Sequence, residues 1–230
     1  MLREKPFIVG DMYHLYSRGV NKMPIFLSAD DISRFVKMMY ALNGTNGLRY
    51  NDVKDLSYEK ISEMKGESII DIGAWCLMDN HIHILAREKV HCGISKFMSK
   101  LMTSYAKYFN IKNERTGVLF ESRFKSKRIN DDLYMDYLFA YINLNPVKKN
   151  EPEWKEYGIL NVEKSKNIME NYGRCSYHDY VIGGRVESLI LNKDAFPEHW
   201  NGIKSFEAMA ATFSTNINNQ DLEDLELKKS

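Results

Sequence analysis

Residues 74–85 read Ala-Trp-Cys-Leu-Met-Asp-Asn-His-Ile-His-Ile-Leu, two apolar runs separated by a short polar turn. Apolar runs on either side of a short turn are typical of a β-hairpin. We therefore predict a strand over Ile69–Leu77, a turn over Met78–Asn80 and a returning strand over His81–Arg87.

The returning strand carries a His-Ile-His pattern. Side chains alternate between the two faces of a strand, so His81 and His83 share one face, with Ile82 and Ile84 on the other. Two neutral imidazoles can hold one divalent cation together, and two protein ligands leave coordination positions open for catalysis. The pattern is short, however, and two histidines on a solvated sheet face explain it equally well.

The rest of the chain surrounds this hairpin with further elements. They are a strand over Met12–Arg18, a helix from the Ser28 cap to Leu42, a helix over Ile94–Asn110, a basic segment over Val118–Ile129 and a helix from Asp131 that Pro146 stops. This order predicts an α+β sandwich with helices on one face of an antiparallel sheet. Residues 48–68 are polar and predict a surface insertion. Residues 151–230 predict a C-terminal extension with a flexible tail from about residue 214.

The helix before Pro146 ends in Tyr-Ile-Asn-Leu-Asn. Tyr141 and Asn145 are four residues apart and therefore lie on the same helical face. A phenol, whose ordinary pKa is about 10, attacks phosphorus readily only beside a cation and an oriented phosphate. Asn145 can then supply a third metal ligand. Spacing alone does not choose between Tyr141 and Tyr137, and an aromatic stripe that packs in the core explains both.

Composition narrows the class of protein. The chain is 44% hydrophobic and 27% charged, as expected for a globular protein. Its three cysteines share no metal-binding spacing, and no apolar run is long enough for a membrane helix, so we expect a cytoplasmic protein without a membrane partner. The net charge of +1 is unevenly distributed. Residues 96–150 are basic and residues 151–230 are acidic, so the middle of the chain can attract phosphates.

Four segments, in this order, resemble HUH-type single-tyrosine transposases, and most closely the REP-associated tyrosine transposases. The segments are Tyr13–Phe26 with its Ser-Arg-Gly-Val-Asn turn, Ala74–Leu85 with the His pair, Gly117–Ser126, and Tyr141–Val147. The resemblance implies a ferredoxin-like (RRM-like) fold and a catalytic domain over residues 1–150.

The resemblance also implies a reaction. It assigns Mg²⁺ or Mn²⁺ to His81 and His83, with Asn145 as the third ligand, and it selects Tyr141 as the nucleophile. The expected enzyme is a transposase and endonuclease that cuts single-stranded or hairpin DNA by transesterification. It would leave a 5′-phosphotyrosine and a free 3′-hydroxyl, and it would act in DNA transposition or in mobilisation of REP-like elements. Relatives act as monomers or homodimers, and both states remain open here.

Two basic groups are candidate DNA contacts because their charges can neutralise backbone phosphates. The first comprises Arg123, Lys125, Lys127 and Arg128, and the second comprises Arg18, Asn21 and Lys22. A solvated basic edge is the alternative for both groups. His14 can approach the site from a neighbouring strand, but a sheet histidine without a ligand role explains it equally well.

Three other functions remain open. A relaxase-like or replication-initiating nickase would use the same chemistry without mobility. A non-catalytic nucleic-acid-binding domain would keep the fold alone. A metal-dependent hydrolase would use water and would not need Tyr141.

Overall fold

The computed structural model describes residues 6–214, and the tail predicted from about residue 214 lies outside the described residues. The strands are β1 (Met12–Arg18), β2 (Ile70–Met78), β3 (His81–Glu88) and β4 (Lys125–Ile129). The helices are α1 (Ala29–Leu42), α2 (Tyr50–Val53), α3 (Tyr58–Lys65), α4 (Gly93–Lys112), α5 (Asp132–Leu144), α6 (Trp154–Tyr157), α7 (Val162–Asn171) and α8 (Phe206–Ser214). Single 3-10 or π-helical turns cover Val20–Lys22, Asn145–Lys149, His178–Ile182, Val186–Ile190, Lys193–Ala195 and Glu198–Gly202.

The four strands form one antiparallel sheet in the order β2-β3-β1-β4. Together with α1 between β1 and β2, and α4 between β3 and β4, this order is the ferredoxin-like arrangement. β1 is a central strand, because it pairs with β3 on one side and with β4 on the other. The predicted α+β fold and the predicted hairpin are confirmed.

Local sequence signals fix the ends of the main helices. Ser28 and Asp31 form a reciprocal capping box at the start of α1, which satisfies two backbone N–H groups that would otherwise lack partners. At the start of α5, the Tyr134 backbone N–H donates to the Asp131 carboxylate at 2.8 Å. Pro146 has no N–H to continue the α-helical ladder. The chain therefore tightens there into the 3-10 turn that follows α5.

Both faces of the sheet are covered, whereas the sequence predicted helices on one face. On the first face, Leu15, Ile82 and Ile84 belong to one core with buried side chains of α1 and α4. On the second face, Leu85 and Cys76 belong to another core with α5 and the C-terminal residues. The difference arises because α5 is apolar around most of its circumference, and a helix of this kind must be buried on several sides. All but one of its residues from Tyr134 to Leu144 are buried.

The structure refines two other predictions. The basic segment includes a regular strand, β4, whose residues alternate between the faces of the sheet. Residues 48–68 lie on the surface but are partly integrated, because Val53 and Ile61 are fully buried and the Tyr58 ring packs 5.0 Å from that of Tyr40.

The C-terminal extension shares the second core with α5. The Trp154 ring packs 4.4 Å from that of Phe213. Residues 174–176 pair with the outer edge of β2, through Leu77 N–H to Arg174 C=O and Ser176 N–H to Trp75 C=O, both at 2.9 Å. The extension thus packs against the expected catalytic domain, and the domain boundary predicted near residue 150 remains a prediction. Within residues 6–214, none of the helices combines the length and the apolar character required to cross a bilayer.

Candidate active site

His81 and His83 lie on the second face of the sheet, as the alternation predicted, because Ile82 and Ile84 belong to the first core. The two ring centroids are 5.0 Å apart and the rings are perpendicular. In the pairing with β1, Arg18 lies opposite His81, and Tyr16 lies opposite His83.

Asn80 fixes the orientation and the tautomer of His81. Its side-chain amide donates from Nδ2 to the Lys22 carbonyl at 2.9 Å. A carbonyl can only accept, so this bond determines which end of the amide faces His81. Asn80 Oδ1 then lies 2.7 Å from His81 Nδ1, and His81 must donate from that nitrogen. The lone pair of the ring is consequently on Nε2, where it can bind a cation.

His14 supports His83 from the neighbouring strand. His14 Nε2 and His83 Nδ1 are 2.8 Å apart, and both side chains are buried. One nitrogen donates and the other accepts, so the hydrogen bond holds the two rings together. If His83 donates from Nδ1, its Nε2 is free for a cation, in the same way as in His81. His14 therefore contacts His83 directly, and its ring lies 6.5 Å from that of Tyr141.

The three histidines are neutral near neutral pH. Burial, together with the positive charge of Lys127, lowers the pKa of His14 to about 3. Burial also lowers the pKa of His81 to about 3, with contributions from Arg18 and Lys148. The pKa of His83 lies well below its ordinary value, for the same reason and because of the neighbouring imidazoles. Metal binding requires neutral imidazoles, so these rings need lose no proton to act as ligands.

Tyr141 lies beside His83. Their ring centroids are 5.6 Å apart and the rings are nearly perpendicular. The Tyr141 side chain is only 4% exposed, between Trp154 and Tyr137, whose rings are stacked 6.4 and 6.3 Å from it. The structure therefore brings the predicted nucleophile and the His pair together. Burial does not identify which of the two tyrosines is the nucleophile, because Tyr137 is also buried.

Asn145 completes this cluster. It is buried, and it lies close enough to His81 to raise the pKa of that histidine against the larger effect of burial. Its Oδ1 is buried without a hydrogen-bond partner among the described residues. Such an oxygen is costly unless something binds it, and two neutral imidazoles with one amide oxygen suit a divalent cation. Over residues 6–214, histidine, cysteine and acidic side chains alone form no cluster of three that would hold a metal.

Lys155 was not predicted from the sequence, although it lies at the site. Its Nζ is 5.3 Å from the centre of the Tyr141 ring, and its charge contributes to the low pKa of His83, for which burial is the main cause. Lys155 belongs to α6, in the C-terminal extension. Only the packing of that extension against α5 brings it to the site, so no local pattern could have identified it.

The predicted basic residues fall into different positions. Lys125 and Lys127 pair with Tyr16 and His14, so both lie on the second face of the sheet, beside the histidines. Arg128 lies on the other face and forms an ion pair with Asp11 at 2.6 Å. The other residues of the two predicted basic groups lie outside regular strands or at strand ends. Arg123, Asn21 and Lys22 are exposed in the segments that flank the sheet, and Arg18 ends β1.

A ferredoxin-like sheet with a His-x-His pair beside a tyrosine-bearing helix is the arrangement that the resemblance to single-tyrosine transposases implied. Residues 36–145 match the family described as "Transposase IS200 like". This match covers 110 of the 230 residues, and it confirms over these residues the resemblance that the sequence predicted.

Two further comparisons accompany this match. No curated protein matches the chain. Among solved structures, a REP-associated tyrosine transposase bound to a REP hairpin is similar, with a TM-score of 0.46 and 13% identity over 78% of this chain and 84% of that chain.

Proposed function

We propose that this transposase-family chain cuts and rejoins single-stranded DNA, with Tyr141 as the nucleophile and a divalent metal, Mg²⁺ or Mn²⁺, at His81, His83 and Asn145. The observation that carries the proposal is the convergence of Tyr141 from α5 with the two histidines from β3, at 5.6 Å between the rings of Tyr141 and His83. The orphaned Oδ1 of Asn145, one helical turn from Tyr141, supports the metal assignment.

The reaction is a transesterification. The Tyr141 oxygen forms a bond to phosphorus as its phenol proton is lost, and the bond from phosphorus to the 3′-oxygen of the DNA breaks. The leaving 3′-oxygen takes a proton, so the products are a 5′-phosphotyrosine and a 3′-hydroxyl. A bound divalent cation would orient the phosphate and offset the charge that develops on it. Rejoining is the reverse reaction with a 3′-hydroxyl, and it needs no external energy source.

The residues of the chain have separate tasks in this scheme. Asn80 and His14 hold the two imidazoles in place, and Lys155 supplies a fixed positive charge beside Tyr141. A fixed charge near a developing phenolate and a pentavalent phosphate stabilises both. Because Tyr141 is only 4% exposed, the surrounding rings hold it in place beside His83.

The experiment that tests this function is adduct formation with a single-stranded hairpin oligonucleotide and Mn²⁺. We expect a protein–DNA adduct that survives denaturation, requires the metal and disappears in Tyr141→Phe. Tyr137→Phe is the matched control, because this ring is also buried in α5, one turn earlier. It should keep the adduct.

Other outcomes identify the competing functions. Cleavage without an adduct, preserved in Tyr141→Phe, would show a hydrolase that uses water. Binding without cleavage would show a non-catalytic DNA-binding domain. An adduct that persists in Tyr141→Phe would refute the assignment of the nucleophile. A nickase would form the same adduct by the same chemistry, and it would differ from a transposase in the DNA that it cuts.

A further inference from the structure

Cys76 and Cys175 lie directly opposite each other where the C-terminal extension pairs with the outer edge of β2. The two backbone hydrogen bonds of this pairing join the residues on either side of the cysteines, at 2.9 Å each, rather than the cysteines themselves. In an antiparallel ladder this arrangement defines a non-hydrogen-bonded pair, whose Cα atoms are about 4.5 Å apart. The two cysteines therefore occupy the kind of position where opposed side chains of a sheet come closest to each other.

This position meets the geometric requirement for a disulfide bond. Disulfides join cysteines whose Cα atoms are roughly 4.4 to 6.8 Å apart and whose Cβ atoms do not point away from each other. Directly opposed residues project to the same face of a sheet, and Cys76 and Cys175 both belong to the second core. Cys175 also lies close enough to raise the pKa of the Cys76 thiol, in addition to the larger effect of burial. A bond between the two sulfurs therefore fits the existing backbone.

Further hydrogen bonds hold this part of the extension against β2. The Ser176 hydroxyl accepts from the Trp75 N–H at 2.9 Å, and the Tyr172 hydroxyl donates to the Leu77 carbonyl at 2.7 Å. The Cys175 thiol donates to the Tyr172 carbonyl at 3.6 Å. These contacts lie on both sides of the cysteine pair and fix its register. The thiols are consequently brought together before any bond forms between them.

Burial determines which oxidant can act on this pair. Both side chains are fully buried, whereas the third cysteine, Cys92, is partly exposed. A bulky disulfide reagent cannot approach a fully buried sulfur, but hydrogen peroxide is uncharged and little larger than water. Either cysteine alone would be explained as a small apolar core residue. Their direct opposition across a non-hydrogen-bonded pair is the observation that adds a chemical role.

We propose that Cys76 and Cys175 form a site of reversible oxidation, where a peroxide creates a disulfide that ties the C-terminal extension covalently to the edge of the sheet. One thiol loses its proton and its sulfur attacks a peroxide oxygen. The O–O bond breaks, which gives a sulfenic acid, and the departing hydroxide takes the proton and leaves as water. The second sulfur, on losing its proton, then attacks the sulfenic sulfur, and the S–O bond breaks to release a second water. The two thiols are oxidised by two electrons in total, and the peroxide is reduced to water.

The disulfide would act on the part of the extension that packs beside the candidate active site. It would close a loop of about 100 residues, and a cross-link of this length stabilises a protein mainly by restricting the unfolded chain. The loop includes α5 and α6, which carry Tyr141 and Lys155. On its other side, Cys76 lies opposite His83 in the β2–β3 pairing. The proposal does not depend on DNA cutting, so it stands or falls separately from the proposed function.

The test uses the full chain with Cys92→Ser, which leaves only the two opposed cysteines. The folded protein is incubated with hydrogen peroxide, and remaining free thiols are alkylated during denaturation. We expect an intact mass lower by two hydrogen atoms and a cross-linked pair of peptides that contain Cys76 and Cys175, with dithiothreitol reversing both changes. The midpoint of thermal unfolding should rise by about 5 to 15 °C on oxidation.

Cys92→Ser/Cys175→Ala is the matched control, and it should show neither the cross-link nor the rise in midpoint. If this variant fails to fold, the peptide map of Cys92→Ser decides the question alone. In the wild type, Cys92 reports that the peroxide has reacted. Oxidation of Cys92 while Cys76 and Cys175 stay alkylatable would overturn the proposal, and so would sulfinic acids at the pair in place of a disulfide. A disulfide that lowers the midpoint would refute the claim that the existing backbone accommodates the bond.

Discussion

Replacing Asn80 with alanine should weaken Mn²⁺ binding about 10- to 100-fold, the usual cost of losing a group that orients a metal-ligating histidine. In free energy this loss is about 1.4 to 2.7 kcal/mol. The reason is the pair of hydrogen bonds that Asn80 makes, at 2.9 Å to the Lys22 carbonyl and at 2.7 Å from His81 Nδ1. Without them the His81 ring can rotate, and its proton can move to Nε2, the nitrogen that would bind the metal in the proposed function.

Asn80→Asp separates the two hydrogen bonds. A carboxylate still accepts from His81 Nδ1, but it cannot donate to the Lys22 carbonyl. We expect metal affinity close to that of the wild type, together with a loss of stability of about 1 to 3 kcal/mol from the two acceptors that then face each other. Asn171→Ala is the matched control, because Asn171 also donates to one backbone carbonyl, at 2.8 Å, in α7.

The assay is isothermal titration of each protein with Mn²⁺ in the absence of DNA, together with thermal unfolding to measure stability. Metal affinity is thereby read independently of DNA cutting. Wild-type affinity in Asn80→Ala would refute the tautomer argument. If Asn80→Asp loses as much Mn²⁺ affinity as Asn80→Ala, the loss comes from the hydrogen bond to the Lys22 turn rather than from the one with His81.

Three further predictions concern other parts of the site and the core. Lys155→Ala should slow single-turnover adduct formation about 10²-fold, as expected for loss of one charge-stabilising group. Lys155→Arg should restore most of the rate, and equal rates in all three proteins would exclude a role in catalysis. Trp154→Ala should lower the free energy of unfolding by about 3 to 5 kcal/mol because a large buried ring is lost, and a cost below 1 kcal/mol in denaturant titrations would contradict the shared core. Burial favours a raised pKa for Asp31, but hydrogen bonds from Lys112, the Leu27 N–H and Tyr108 outweigh it and hold the pKa below its ordinary value. Its carboxylate therefore stabilises the protein fully above about pH 3.9, and this contribution is lost as the pH falls through the lowered folded value. Asp31→Asn should make unfolding less steeply dependent on pH in that range, and an unchanged pH profile would show that the ion pair contributes nothing.

Periodicity accounts for the parts of the fold and site that the sequence predicted correctly. The period of two in β3 placed His81 and His83 on one face, and the four-residue spacing in α5 placed Tyr141 above Asn145. Both are local properties of a single element. Helix caps and Pro146 likewise set the limits of α1 and α5 to within a few residues.

Contacts between distant elements were not accessible in the same way. His14 is 69 residues from His83 in the chain, and only the β1–β3 register brings the two rings together. Lys155 depends on the docking of α6 against α5. The second covered face of the sheet was missed because the apolar side of α5 that faces the C-terminal residues has no partner visible in its own sequence.

Protein synthesis proceeds from the amino end, and β1 therefore waits for β3 and β4 before it can pair on either side. The ring of Phe213, packed against those of Tyr137 and Trp154, emerges later still. The nascent chain thus carries Tyr141 in incomplete surroundings until the ribosome has passed α8. A polypeptide still being translated therefore cannot complete the aromatic packing of Tyr137, Trp154 and Phe213 around Tyr141 until that helix has been made.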